Sequence, residues 1–260
     1  MSDYDFILNG IRYSYSSTGT YENCPYSFKL SYIEGAPRIN NFYAEYGSHV
    51  HETLEQFFTG KLESFQLSDY YRDNYSDKVK ELAPTPPYDL DERYKIQGQE
   101  FFDRFSFPRE KYDVLVVEGK TDFERNGVLY VAKPDLVIRN KETGRTILCD
   151  YKTSAPWRID KRSGKEIEDK KKIKGYYNQM YLYTYALRHH ADIPVDQIDI
   201  WFPRMKRVVS VPVDLVAEDE AMVHVEEIVA RLKADTEFKP LISRYFCDNL
   251  CSVRSLCEFK

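Results

Sequence analysis

With 260 residues and 42% hydrophobic content, the chain has enough apolar material for one large core, and its mean hydropathy of −0.58 fits a water-soluble protein. No apolar run reaches the length of a membrane span, and Met1-Ser-Asp-Tyr-Asp5 lacks the basic start and apolar stretch of a secretory signal, so a cytoplasmic setting is the expectation. Lys and Arg number 37 against 42 Asp and Glu, a net charge of −5, which excludes a globally basic nucleic-acid binder and requires any such contact to use a local patch.

Along the chain, a short first strand is expected before Tyr13. A helix should follow, capped by Ser16, Ser17 or Thr18, with Cys24 near its middle and Pro25 bending or splitting it. From Phe42 to Gly60, Val50, Leu54, Phe57 and Phe58 recur at helical spacing. Two more helices are predicted over 67–82 and 90–105, separated by Pro84-Thr-Pro-Pro87. Residues 40–108 therefore read as a helical lobe placed before a sheet core at 109–213.

The core begins with a strand over 112–123, followed by a hairpin turn at Glu124-Arg-Asn-Gly127. A strand over 128–138 should pair with one that ends at Asp150, through a turn at Lys141-Glu-Thr-Gly144. After a basic loop or helix entry over 155–175 come a helix over 176–190, a hairpin over 196–213 and a helix over 215–232. The fold class expected is α/β: a mixed sheet flanked by helices in a single domain, 1–260. A cluster-binding region is formed by residue 24 and residues 240–260.

The chemistry concentrates at Ile147-Leu-Cys-Asp150-Tyr-Lys152-Thr153. Asp150 and Lys152 lie two apart and share a strand face, while Cys149 points to the other side as an inert buried thiol. Across a hairpin, Asp135 falls opposite or diagonal to Asp150, so two carboxylates and an ammonium gather on one patch. Charges on a core strand are costly unless paired or metal-bound, and such a patch suits a hard divalent cation, Mg²⁺ or Mn²⁺, in phosphodiester hydrolysis. Lys152 would position or deprotonate the attacking water, or stabilise charge in the transition state, and the Tyr151 carbonyl offers a further oxygen ligand.

Gly47-Ser-His-Val-His51, Lys133-Pro-Asp135, Cys149-Asp150-Tyr-Lys152-Thr and Gln179-Met-Tyr-Leu-Tyr183, in that order, resemble the RecB-like branch of the PD-(D/E)XK nucleases over nearly the whole chain. The resemblance implies a restriction-endonuclease-like core with His51 as the third metal ligand. His49 falls in a variable slot, and an acidic residue near Glu118 is frequent in the family. Gln179 and Tyr183, which share a helix face, are implied to support the site and touch the substrate backbone. Within the branch the chain looks similar to iron–sulfur exonucleases of CRISPR adaptation and their phage relatives. That likeness implies a DNA exonuclease, 5′ to 3′ on single-stranded ends, in recombination, repair, phage DNA metabolism or CRISPR adaptation. The alternatives are an adaptor subunit that trims DNA only within a complex, and a nonenzymatic DNA-binding module. Possible partners are DNA and recombination or CRISPR adaptation proteins, with no membrane.

Cys24 and Cys247-x3-Cys251-x5-Cys257 are four thiols split between the two ends, a number that suits a [4Fe–4S] cluster or a structural zinc. In the resembling family one early and three late cysteines hold the iron–sulfur cluster, although the late group usually starts Cys-x-x-Cys. From Arg158 to Lys174 eight basic residues meet four acidic ones, a net of +4. This run leaves the end of the Asp150 strand. With Arg158, Lys161, Arg162, Lys170, Lys171, Lys172 and Lys174 on it, and Arg204, Lys206 and Arg207 beyond, it is expected to build a groove that tracks a DNA backbone near Trp157.

Overall fold

The computed structural model describes residues 4–160 and 162–259. In chain order the N-terminal elements are α1 (Asp5–Gly10), α2 (Tyr15–Asn23) and α3 (Pro25–Phe28), the last continuing as a π-turn over Lys29–Ile33. The expected first strand is instead a helix, and Tyr13 retains only a bridge to Tyr130. The cap of α2 is Ser14 rather than Ser16–Thr18: its hydroxyl accepts the Ser17 N–H while Ser17 returns a bond to the Ser14 backbone, a closed capping box. Pro25 splits the helix at Cys24, where the backbone becomes extended and Pro takes the first position of α3.

Next come α4 (Phe42–Phe58), α5 (Leu67–Lys78) and α6 (Leu90–Asp103), the last two ending before their expected limits at 82 and 105. They are followed by β1 (Tyr112–Val117), β2 (Thr121–Arg125), β3 (Val128–Ala132), β4 (Leu136–Asn140) and β5 (Thr146–Tyr151). Two strands expected to be continuous are broken. The 112–123 segment divides at Glu118-Gly119, where Glu118 adopts a left-handed φ of 45°. The 128–138 segment divides at Lys133-Pro134, because proline has no N–H to give a ladder.

The chain finishes with β6 (Trp157–Ile159), β7 (Glu166–Glu168), α7 (Lys170–His190), β8 (Gln197–Phe202), β9 (Arg207–Pro212), α8 (Leu215–Ala234) and α9 (Arg244–Asn249). The expected basic loop over 155–175 is thus a small β6–β7 hairpin plus the first turn of α7, which Asp169 caps.

The main sheet has the order β1-β4-β5-β8-β9, with β5 and β8 parallel and its other neighbours antiparallel. Alternation along β4 and β5 divides the core. Val137 and Leu148 pack with Ile198 and Ile200 beneath α7 and α8, whereas Leu136, Ile138, Ile147, Cys149 and Tyr151 pack against α4–α6. The result is three layers, with helices on both sheet faces. Cys149 is fully buried on the α4–α6 side, and burial pushes its thiol well up, so it stays protonated and inert. Among the described residues no helix is long and apolar enough to cross a membrane.

Candidate metal centre

The geometry starts from the β4–β5 register. Leu136 faces Cys149, so one further step sets Asp135 beside Asp150 at the open end of the pair. The Asp135 carboxylate accepts the Tyr151 N–H at 2.8 Å, which fixes it against the last residue of β5. Helix α4 crosses this end with Gly47 close to the Thr153 hydroxyl and turns His51 inward. His51 Nε2 lies 2.9 Å from the Tyr151 carbonyl, while Nδ1 lies 3.6 Å from Asp135 and 3.5 Å from Glu118.

His49, two residues earlier on α4, points away. It is buried, stacks on Tyr71 at 4.8 Å and bonds the Tyr71 carbonyl. The two histidines therefore do different work, one packing the lobe and the other facing the carboxylates.

His51, Glu118 and Asp135 offer ligand atoms that all lie within 4.8 Å of one another, a donor set that suits a divalent cation. Glu118 is the residue that sequence reasoning weighted least. Its backbone N–H donates to the Asp135 carbonyl at 2.8 Å, and the left-handed φ turns its side chain toward His51. A charged residue directly before Gly119, at the point where a strand must break, was the available signal.

Asp150 stands slightly apart from that trio. It is 1% exposed, and its nearest charge is the Lys152 ammonium at 2.7 Å. That contact lies outside hydrogen-bonding angles, so Asp150 Oδ2 remains short of a partner. A buried carboxylate oxygen without a hydrogen bond, next to a His/Glu/Asp group, is what a divalent-cation centre requires of its donors.

The electrostatics agree. Burial, and then the neighbouring Asp150 charge, push the Asp135 carboxyl up to about 7. Burial alone would lower His51, but the charge of Asp135 and the Glu118 hydrogen bond outweigh it and lift the imidazole to about 9. With acceptors facing both ring nitrogens, His51 is an imidazolium that stands where positive charge is wanted.

On the other sheet face α7 brings Gln179 to the site. Its carbonyl accepts from Lys152 Nζ at 2.9 Å and its amide donates to the Tyr183 hydroxyl at 2.7 Å. Tyr176, one turn earlier, places its ring 5.4 Å from the same ammonium. A cleft of about 520 Å³, lined by Tyr43, Ser48, Glu52 and Glu55, opens onto His51 and Glu118.

The four cysteines Cys24, Cys247, Cys251 and Cys257 line one small cavity with Leu30, Phe246 and Val253. Cys24 reaches it from the α2–α3 break, and Cys247 sits on α9. The terminal segment that carries them is tied to the start of α4, through Ile39 N–H to the Ser252 carbonyl at 2.8 Å and the Tyr43–Tyr245 hydroxyl pair at 2.7 Å.

Several of the basic residues expected to line a groove are held by partners within the chain. Arg204 is committed to Gln97 and the Thr153 carbonyl and stacks 3.4 Å over Tyr94, so it braces the chain just after Lys152. Lys206 pairs with Glu100, and Arg207 pairs with Glu166 while covering Trp157. Lys172 turns toward the site and bonds Ser154 and the Ala155 carbonyl. Lys171 and Lys174 line a cavity beside α2, which Lys172 also borders. Arg158, Arg162 and Lys170 are exposed on the hairpin and the helix start, and Lys161 lies outside the described residues.

A family model described as the PD-(D/E)XK nuclease superfamily matches residues 12–258. Among solved structures, the chain is similar to a candidate exonuclease from Eubacterium rectale, at 15% identity and a TM-score of 0.55 over 99% of this chain and 93% of that one. A second structure, titled SSO0001, aligns at 16% identity with a TM-score of 0.31 over 89% and 93% of the two chains. No curated protein matches the chain.

Proposed function

Because the chain belongs to the PD-(D/E)XK nuclease superfamily, we propose that it is a Mg²⁺- or Mn²⁺-dependent deoxyribonuclease that trims DNA ends, with single strands as its preferred substrate and 5′ to 3′ as its direction. The observation that carries this reading is the convergence of His51, Asp135 and the Asp150–Lys152 pair on the end of β5, where one buried carboxylate oxygen still lacks a hydrogen bond. His51, Asp135, Asp150 and the Tyr151 carbonyl would hold the cation, with Glu118 closing the exposed side. A bound divalent cation supplies Lewis acidity toward the phosphodiester and readies water for attack. Lys152 orients that water or steadies the charge that builds on phosphorus, and Gln179, braced by Tyr183, keeps the ammonium in place. DNA end processing in recombination, repair, phage DNA metabolism or CRISPR adaptation is the setting this activity would serve.

The test is digestion of end-labelled single- and double-stranded DNA with Mg²⁺, with Mn²⁺ and with chelator. Metal-dependent shortening from one labelled end supports the reading; internal cuts alone, or cutting that ignores chelator, would sink the exonuclease assignment.

We further propose that Cys24, Cys247, Cys251 and Cys257 hold a [4Fe–4S] cluster with a structural role, since hydrolysis needs no electron transfer. Support comes from four cysteines that line one cavity which is otherwise mostly apolar. Anaerobically purified protein should be brown, and Cys251→Ser should lose both the colour and most of the iron. A colourless protein that carries stoichiometric zinc would reassign the site.

A further inference from the structure

A groove on the far side of α7 is not used by the chemistry above. Two cavities of about 360 and 690 Å³ meet at Lys174, Asn178 and His224, which line both. The larger wraps the first turn of α7, from Lys172 past Lys171 to Tyr15 on α2, and the smaller runs between α7 and α8 beside Tyr177 and Tyr181.

Asn178 gives the groove its meaning. The residue is only 8% exposed, yet its amide lines both cavities and makes no hydrogen bond among the described residues. Its amide presents two donors and two acceptor lone pairs that the chain itself does not use and that a ligand in the groove can reach. A planar amide matches the paired donor and acceptor on the edge of a nucleobase, as asparagine does when it reads adenine. Tyr177 and Tyr181 offer ring surface beside it. Lys171 and Lys174 lie where the larger cavity meets the N-terminal turn of α7, whose helix dipole adds positive character. Two acids on the walls offset part of that charge: Glu22, which faces Arg231 at 3.3 Å, and Glu220. The Asp169 carboxylate is already occupied with the Lys172 N–H.

We propose that this groove binds one nucleotide unit, with the base against Asn178 and the phosphate on Lys171 and Lys174. The choice of ligand rests on the DNA-processing reading, and the location gives it a route. Lys172 lines the larger cavity and also bonds Ser154, two residues beyond Lys152, so a strand that leaves the metal centre reaches the groove around the first turn of α7. Gln179 and Asn178 are adjacent on α7, one facing Lys152 and the other facing the groove.

The experiment is calorimetric titration of the full chain, in chelator, with each deoxynucleoside 5′-monophosphate and with inorganic phosphate. Without divalent ions no cutting occurs, so failure of the nuclease reading and failure of this site are separate results. Nucleotides should bind, phosphate should bind about tenfold more weakly, and Asn178→Leu and Lys174→Glu should each weaken nucleotide binding by about tenfold. Lys174 is exposed, so its substitution keeps the test valid even if the Asn178 variant fails to fold. Asp150→Ala should bind nucleotides like the parent. A short oligodeoxynucleotide that weakens in the same variants assigns the groove to a bound strand, and one that does not assigns it to free nucleotide. Nucleotides that bind no better than phosphate, or two groove variants that match the parent, would overturn the proposal.

Discussion

Lys152→Ala is expected to lower DNA hydrolysis by roughly a thousandfold while leaving divalent-cation binding and DNA affinity close to the parent values. The expectation follows from where the ammonium is held. Asp150 at 2.7 Å, the Gln179 carbonyl at 2.9 Å and the Tyr176 ring face surround it, and only 17% of the side chain is exposed. So many constraints on a flexible four-carbon stem fix a point charge beside the carboxylates, which matters for a transition state more than for ground-state binding. Lys152→Arg should not rescue the activity, because a planar fork cannot occupy the same small site between Asp150 and Gln179. Asp150→Ala should lose cutting and cation affinity together, which separates the ligand from the residue beside it. Removing Lys152 also leaves the Asp150 charge buried without its partner, a change worth about 3–5 kcal/mol in comparable pairs. Thermal unfolding should therefore be followed alongside activity, with cation added to restore some of the loss. A folded Lys152→Ala protein that cuts at the parent rate would remove Lys152 from the mechanism.

Some of this centre was legible in the sequence and some was not, for identifiable reasons. Asp135 and Asp150 could be paired in advance because the four-residue turn at Lys141–Gly144 sets the β4–β5 register, and a period of two then assigns the faces. Two positions along a helix turn a side chain through more than half a circle, so only one of His49 and His51 could face the ion, and the family resemblance selected His51. Glu118 was harder. Its contribution depends on a strand break and a left-handed backbone, and neither has a hydrophobic period to announce it. The break before Asp135 was readable from Pro134, but a long apolar run hid it. The basic run is a weaker guide for another reason: charge in sequence says nothing about direction once the segment winds into α7. Lys172 bonds the chain just after Lys152, while Lys174, two positions on, borders the groove between α7 and α8. Arg204, Lys206 and Arg207 were spent on carboxylates, carbonyls and rings that lie far away in sequence.

Divalent-cation affinity should rise with pH, because the cation competes with a proton for His51. In the metal-free protein the imidazole is lifted to about 9 by the carboxylates around it, and the Asp135 carboxyl is pushed up to about 7 by burial and by Asp150. Between those values the site holds one proton on the ring, and a cation that uses the ring must displace it. Affinity should then climb by roughly tenfold per pH unit between about 7 and 9, and more steeply below 7, where Asp135 must also give up a proton. Folding stability without metal moves the other way. Both groups have folded pKa values above the ordinary 6.5 and 3.8, so the stability they confer is complete at low pH. It is lost as pH rises through about 7 for Asp135 and about 9 for His51. The metal-free melting temperature should accordingly fall across that range, while the increment gained on adding Mn²⁺ grows. Calorimetry at pH 8 in buffers of different ionisation enthalpy counts the displaced proton directly, and about one per site is expected. His51→Ala should weaken cation binding, whereas His49→Ala, which alters only the packing against Tyr71, should lower stability and leave cation affinity intact. A His51→Ala protein that binds the cation as tightly as the parent would mean that the imidazole is not where the cation binds.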